Sequence, residues 1–252
     1  MEIVMVYDGS WPGLLTVVFE VYERRAQVAG IRAQDHAAQR DAFASEVDVP
    51  TDAAKAARVW KGLQGKVPAD ACRQLYCCYL SGTPGIEMVI LACVRFYFSG
   101  VKDPHRAYGQ AEVLRVTQVA KSVDRERHRM KAFVRFQRTG DELYYAMVEP
   151  DFNVLPLIAD HFQHRYADQR WLIYDMKRGY GIYYDLETVT EVTIDLQESS
   201  DTGGIFHEGE QLYRDLWKEY FKHVNIGARK NMKLHLRHVP KRYWRRLTEK
   251  WL

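Results

Sequence analysis

The chain opens on a short apolar run, Ile3 to Tyr7, which predicts a strand. Asp8-Gly9-Ser10 follows as a turn whose serine can cap a helix, and Trp11 to Arg25 continues with Pro12 in the first helical turn. Residues 26–50 are polar and alanine-rich, with one strand-like stretch from Ala42 to Val49. Pro50-Thr51-Asp52 and Pro68-Ala69-Asp70 each read as a helix start, predicting helices to about Leu63 and Leu80. The breaker Ser81-Gly82-Thr83-Pro84-Gly85 then precedes an apolar helix from Ile86 to Phe98.

In the second half Val113, Val116, Val119, Ala120 and Val123 recur at spacings of three and four, predicting a helix over Arg106 to Arg127. Aromatic and branched residues then dominate two runs, Met130 to Gln137 and Glu142 to Val148, which predict a hairpin turning at Arg138 to Asp141. Val154 to Tyr166 reads as a helix. Arg170 to Met176 and Tyr180 to Asp185, joined by Lys177-Arg178-Gly179, read as a second hairpin. Glu208 to His223 carries one more amphipathic pattern.

Two hairpins around one helix, ββαββ, predict an α+β fold in which an antiparallel sheet packs with a helical cluster. The expected organisation is an N-terminal strand and helical cluster over 1–100, a sheet region over 101–195, and a C-terminal helix with a basic tail over 196–252. A hydrophobic fraction of 47% and a charged fraction of 27% suit a folded chain and exclude disordered and fibrous classes. The most apolar stretch, Ile86 to Phe98, is interrupted by Glu87 and Arg95, so no membrane partner is expected. Cys72, Cys77, Cys78 and Cys93 lie in apolar helical surroundings and suit reduced buried thiols. With an N-terminus unlike a secretory signal, they point to the cytoplasm.

The net charge of +3 conceals a strong segregation. From Phe221 to Leu252 there are ten Lys or Arg and one acid, Glu249, leaving 26 bases against 32 acids in the remainder. The segment mixes Arg229, Lys230, Lys233, Lys241, Arg242, Arg245 and Arg246 with Tyr243 and Trp244. Cations that track phosphates beside rings that stack bases are what single-stranded nucleic-acid sites use. The same residues suit a tail docked on the acidic body, so both readings stand at this point.

Two further constellations carry candidate chemistry. Glu126-Arg127-His128-Arg129 precedes Lys131 and Arg135, giving either a histidine base beside a carboxylate or a helix end stabilised by cations. His161 and Arg165 share a helix face, and Asp175 with Arg178 forms either a clasp at the tip of the second hairpin or an acid and a phosphate clamp. No C-x-x-C pair, glycine-rich phosphate loop or nucleophile elbow is present, so no cofactor and no metal is expected. Catalysis here would fall to His128, His161 or Asp175.

Four segments together, YDGSWPGLLTVVFEVY, ERHRMKAFVRF, EPDFNVLPLIADHFQHRYADQRWLIYDMKR and LWKEYFKHVNIGARKNMKLHLRHVPKRYW, resemble the DUF4130 family. The shared positions are Asp8, Gly9, His128, Arg129, Phe133, Arg135, Phe136, His161, Phe162, Arg165, Trp171, Asp175, Arg178, Arg229, Asn231, Pro240 and Trp244. The resemblance implies DNA metabolism or repair, in association with a radical-SAM protein, and kinship with domains fused to uracil-DNA glycosylases. It transfers no catalytic residue. The expectation is a DNA-binding accessory, on single strands or damaged duplex, with Arg129, Arg135, Arg165, Arg178 and the tail residues above as contacts. The alternative is a cofactor-free enzyme acting on a nucleobase or nucleotide in the manner of a glycosylase.

Overall fold

The strands form two separate sheets in the computed structural model, which describes residues 3–34, 45–138, 142–193 and 240–247. The chain splits into two units, Met1–Asp124 and Arg125–Leu252.

In the first unit β1 (Ile3–Tyr7) is the middle strand of a parallel sheet, flanked by β2 (Val28–Ala33) and β3 (Ser45–Asp48). Helix α1 (Trp11–Glu23) leaves the carboxyl end of β1, and α2 (Ala53–Gln64) leaves that of β3. Their caps follow the sequence closely: the Ser10 hydroxyl accepts the Gly13 N–H, and the Asp52 carboxylate accepts those of Ala54 and Lys55. Helices α3 (Ala69–Leu80) and α4 (Ile86–Tyr97) complete the cluster, their break made by Gly82 and Gly85, both at positive φ. All four cysteines are free and buried. Burial pushes the Cys78 thiol up to about 12 and that of Cys93 up to about 11, which keeps both protonated.

β2 departs from expectation, because its sequence VAGIRA lies in a stretch read as polar and alanine-rich, with its strand placed at Ala42 to Val49. A parallel partner on β1 supplies the pairing that local composition does not advertise.

Helix α5 (Ala111–Phe133) runs beyond the expected end at Arg127 and absorbs the start of the predicted strand Met130 to Gln137. The physical reason is visible in burial: Val116, Val119, Val123, Glu126, Met130 and Val134 continue one helical stripe. A glutamate in that stripe interrupts the apolar period and hides its continuation. What is left of the first predicted hairpin is β4 (Gln137–Arg138), paired with β5 (Tyr144–Val148).

The second sheet has the order β4-β5-β6-β7-β8, with β6 (Trp171–Asp175), β7 (Tyr180–Tyr184) and β8 (Val189–Val192). It is mixed, which corrects the expectation of an antiparallel sheet. β5 and β6 pair in parallel, because α6 (Leu155–Arg165) carries the chain back to the same end before β6 begins. The β6–β7 hairpin forms as expected, and β8 adds an unforeseen edge. Trp171, Phe162, Phe136, Tyr166 and Tyr184 fill the space between α6 and this sheet, with ring centroids 5.2–6.3 Å apart. A short 3-10 helix, Lys241–Arg246, closes the described chain. The predicted helix Glu208 to His223 lies outside the described residues. No helix among them is long and apolar enough to cross a membrane.

Candidate nucleic-acid interface

The second unit gathers most of the candidate residues, and its organising group is a carboxylate. Glu126 is only 1% exposed, yet its acceptors are filled. Oε1 takes the Asp151 N–H at 2.9 Å, while Oε2 takes the Tyr243 hydroxyl at 2.5 Å and the Arg242 Nη2 at 3.1 Å. Arg129 Nη1 stands 4.0 Å away. A buried carboxylate is tolerated when it is paired and hydrogen-bonded, and here the C-terminal 3-10 helix supplies both. The sequence pointed to Glu126 only as a neighbour of His128. Its place in an otherwise apolar stripe was the available signal.

Arg242 also reaches Asp151 Oδ2 at 2.9 Å, and its guanidinium lies over the Tyr243 ring at 4.6 Å. That ring is buried and packs on Phe133 at 5.2 Å. Burial and the Glu126 carboxylate both push the Tyr243 hydroxyl upward, so it remains a proton donor. Arg246 pairs with Glu149, at the end of β5. The acidic residues Glu126, Glu149 and Asp151 thus hold the docked segment by Arg242, Tyr243 and Arg246. Lys241 and Arg245 are exposed, and Trp244 is half-buried. Arg229, Lys230 and Lys233 lie outside the described residues.

At the tip of the second hairpin, Asp175 is fully buried at the end of β6. Its Oδ1 accepts the N–H groups of Lys177 and Arg178, at 2.9 and 3.3 Å, and its Oδ2 accepts Arg178 Nη1 at 2.7 Å. Arg178 extends to the Pro150 and Asp151 carbonyls at 3.1 and 2.8 Å. This clasp ties the hairpin tip to the loop that carries Asp151.

The end of α5 is strongly cationic: Arg125, Arg127, Arg129, Lys131, Arg135 and Arg138 meet one acid, Glu126, between Arg125 and Arg138. Arg135 donates to the Ala132 and Val134 carbonyls at 2.6 and 3.2 Å, a cation at a helix C-terminus. His128 is exposed. His161, on α6, is half-buried, and burial together with the nearby charges of Lys131 and Arg165 holds its proton affinity below the ordinary imidazole value. Arg165 is exposed, its guanidinium 5.7 Å from the Tyr166 ring. Among the described residues no hydrogen bond or ion pair joins His128, His161 and Asp175. No group of three or more His, Cys, Asp or Glu among them has the spacing to hold a metal.

Fold and site together define a mixed α+β protein whose second unit holds two buried carboxylates, Glu126 and Asp175, each paired with an arginine. Residues 84–249 match the model of a family described as a domain of unknown function, DUF4130, and the chain belongs to that family. Comparison with curated proteins and with solved structures returned no match.

Proposed function

We propose that this protein is a DNA-binding accessory that works with a partner enzyme of DNA repair or modification, of the radical-SAM or uracil-DNA-glycosylase type. The observation that carries the reading is the charge left over in the second unit once its carboxylates are satisfied. Glu126, Asp151, Glu149 and Asp175 engage Arg242, Arg246 and Arg178, while Lys131, Arg165, Lys177 and Lys241 of the same unit keep exposed or half-exposed positions. Such cations position a phosphate backbone without reading its sequence. The tyrosine of the basic segment is buried and acts as an anchor for that segment, and the half-buried Trp244 beside it is the candidate for stacking on a base. The acids also fix the segment's geometry, so fewer degrees of freedom are lost on binding.

Fluorescence anisotropy of labelled single-stranded and double-stranded DNA over a salt series tests the reading. Contact with about five phosphates gives a log–log slope of about −4. Replacing Lys131 and Arg165 together by glutamine reduces the slope. Binding that ignores salt, or that survives the double substitution unchanged, overturns it. Catalysis by His128, His161 and Asp175 has no comparable support, since Asp175 has both oxygens engaged in the clasp.

A further inference from the structure

The first unit holds a second polar centre that the DNA-binding reading does not use. In the order β2-β1-β3 the chain leaves β1 toward β2 on one side, and β3 lies on the other. The carboxyl ends of β1 and β3 are therefore where successive connections diverge, the position at which open parallel sheets take ligands. Asp8 and Ser10 come from the loop after β1, and Thr51 from the loop after β3.

These three side chains are locked together. Asp8 Oδ1 accepts the Ser10 N–H at 2.9 Å and the Ser10 hydroxyl at 2.7 Å, and Oδ2 accepts the Thr51 hydroxyl at 2.7 Å. Burial raises the proton affinity of Asp8, but these hydrogen bonds outweigh it and leave the carboxyl below its ordinary value, hence ionised. Both hydroxyl protons point at the carboxylate. The Ser10 oxygen also accepts the Gly13 N–H at 3.0 Å. What remains for a ligand is acceptor capacity alone: about one site on Asp8, one on Ser10 and two on Thr51. Asp8 and Thr51 are exposed and Ser10 is half-buried. A phosphate or carboxylate ligand is repelled, and a ligand rich in hydroxyl donors is favoured.

Beside these acceptors stands a cluster of half-buried rings. Trp11, the first residue of α1, has Tyr79, Tyr76 and Trp60 around it at centroid distances of 5.2, 5.5 and 5.8 Å. The Tyr79 hydroxyl donates to the Gly9 carbonyl at 2.7 Å, which fixes the cluster to the same loop. Rings beside a set of hydroxyl acceptors favour a ligand with a flat face.

We propose that this end of the parallel sheet binds a ribonucleoside, the sugar diol donating to Asp8, Ser10 and Thr51 and the base lying against Trp11 and its neighbouring rings. Titration calorimetry of the full chain with adenosine and uridine tests it, beside 2′,3′-dideoxyadenosine, which keeps the base but lacks both donors, and spermidine, a donor with no flat face. Adenosine binds, while the dideoxy compound and the Asp8→Asn and Thr51→Val variants each lose roughly tenfold or more, the scale of one hydrogen bond. Thermal unfolding establishes that both variants fold, and if either does not, the comparison of adenosine with its dideoxy analogue decides alone. Equal binding of those two ligands, binding of spermidine in place of adenosine, or no heat with either nucleoside overturns the proposal.

Discussion

The hydroxyl of Tyr243 donates to the buried carboxylate of Glu126 across 117 positions of sequence, at 2.5 Å. That bond joins the last described turn of the chain to the C-terminal half of α5. It also explains how a glutamate persists in a core stripe. Tyr243→Phe removes a donor from a carboxylate that keeps two others, so stability falls by about 1–3 kcal/mol. Lys241→Ala, at an exposed neighbour, changes it by less than about 0.5 kcal/mol. Urea unfolding measures both. Hydrogen exchange at the amides of Tyr243 and Leu247 accelerates in the first variant only.

The Asp175–Arg178 clasp predicts an order of damage. Arg178→Met strands a fully buried carboxylate with two backbone donors and costs about 3–5 kcal/mol. Asp175→Asn removes the buried charge itself and leaves Arg178, 22% exposed, bonded to the Pro150 and Asp151 carbonyls. Its cost is smaller, about 1–3 kcal/mol. Denaturant midpoints of the two variants establish the ranking. If Asp175→Asn proves the more damaging, the carboxylate contributes more than its pairing with Arg178.

Local signals were readable where they were complete in themselves. Ser10 and Asp52 marked helix starts that the structure confirms as side-chain caps, and Lys177-Arg178-Gly179 marked a turn that forms, with Gly179 at positive φ. Signals that depend on distant partners were not readable. β2 becomes a strand because β1 is beside it, and β5 pairs with β6 in parallel because α6 intervenes. At the site, the basic character of the C-terminal segment was plain, but its acceptors were not. Asp151 and Glu149 look like ordinary loop and strand-end acids until the fold brings Arg242 and Arg246 to them.

His161 provides a pH test of the proposed DNA contact. Its folded-state proton affinity is depressed below the ordinary value of 6.5 by burial and by Lys131 and Arg165. Between the depressed value and 6.5 the unfolded chain binds more protons, so this residue makes stability rise with pH across that window. Acidification below 6.5 withdraws the contribution, and His161→Gln flattens the profile. A phosphate arriving beside Lys131 and Arg165 opposes their repulsion and raises the histidine's affinity. DNA binding then takes up a proton and tightens as pH falls from 7.5 to 5.5. Titration of the His161 ring signals by NMR, with and without a DNA oligomer, shows an upward shift on binding. No shift with bound DNA places the phosphates elsewhere on the protein.

Gly13 sits within a helix, where alanine ordinarily adds about 1 kcal/mol of stability. Here the expected sign is reversed. A methyl group on Gly13 would come within 2.2 Å of Asp8 Oδ1, 2.8 Å of Thr51 Oγ1 and 3.0 Å of Ser10 Oγ. The Asp8 side chain can swing away, but only by giving up hydrogen bonds to Ser10 and Thr51, each worth about 0.5–1.5 kcal/mol. Gly13→Ala therefore lowers stability by about 1–2 kcal/mol instead of raising it. Because those bonds hold the Asp8 carboxyl below its ordinary value, their loss raises its pKa toward that of a free side chain. The contribution they make is present above the unfolded carboxyl pKa and disappears as pH falls through the folded value, so the variant differs most from the parent at neutral pH. Unfolding curves at pH 7 and pH 3, with an NMR titration of the Asp8 carboxyl, check both statements. A variant more stable than the parent at pH 7 would mean that the triad of Asp8, Ser10 and Thr51 does not hold the loop after β1.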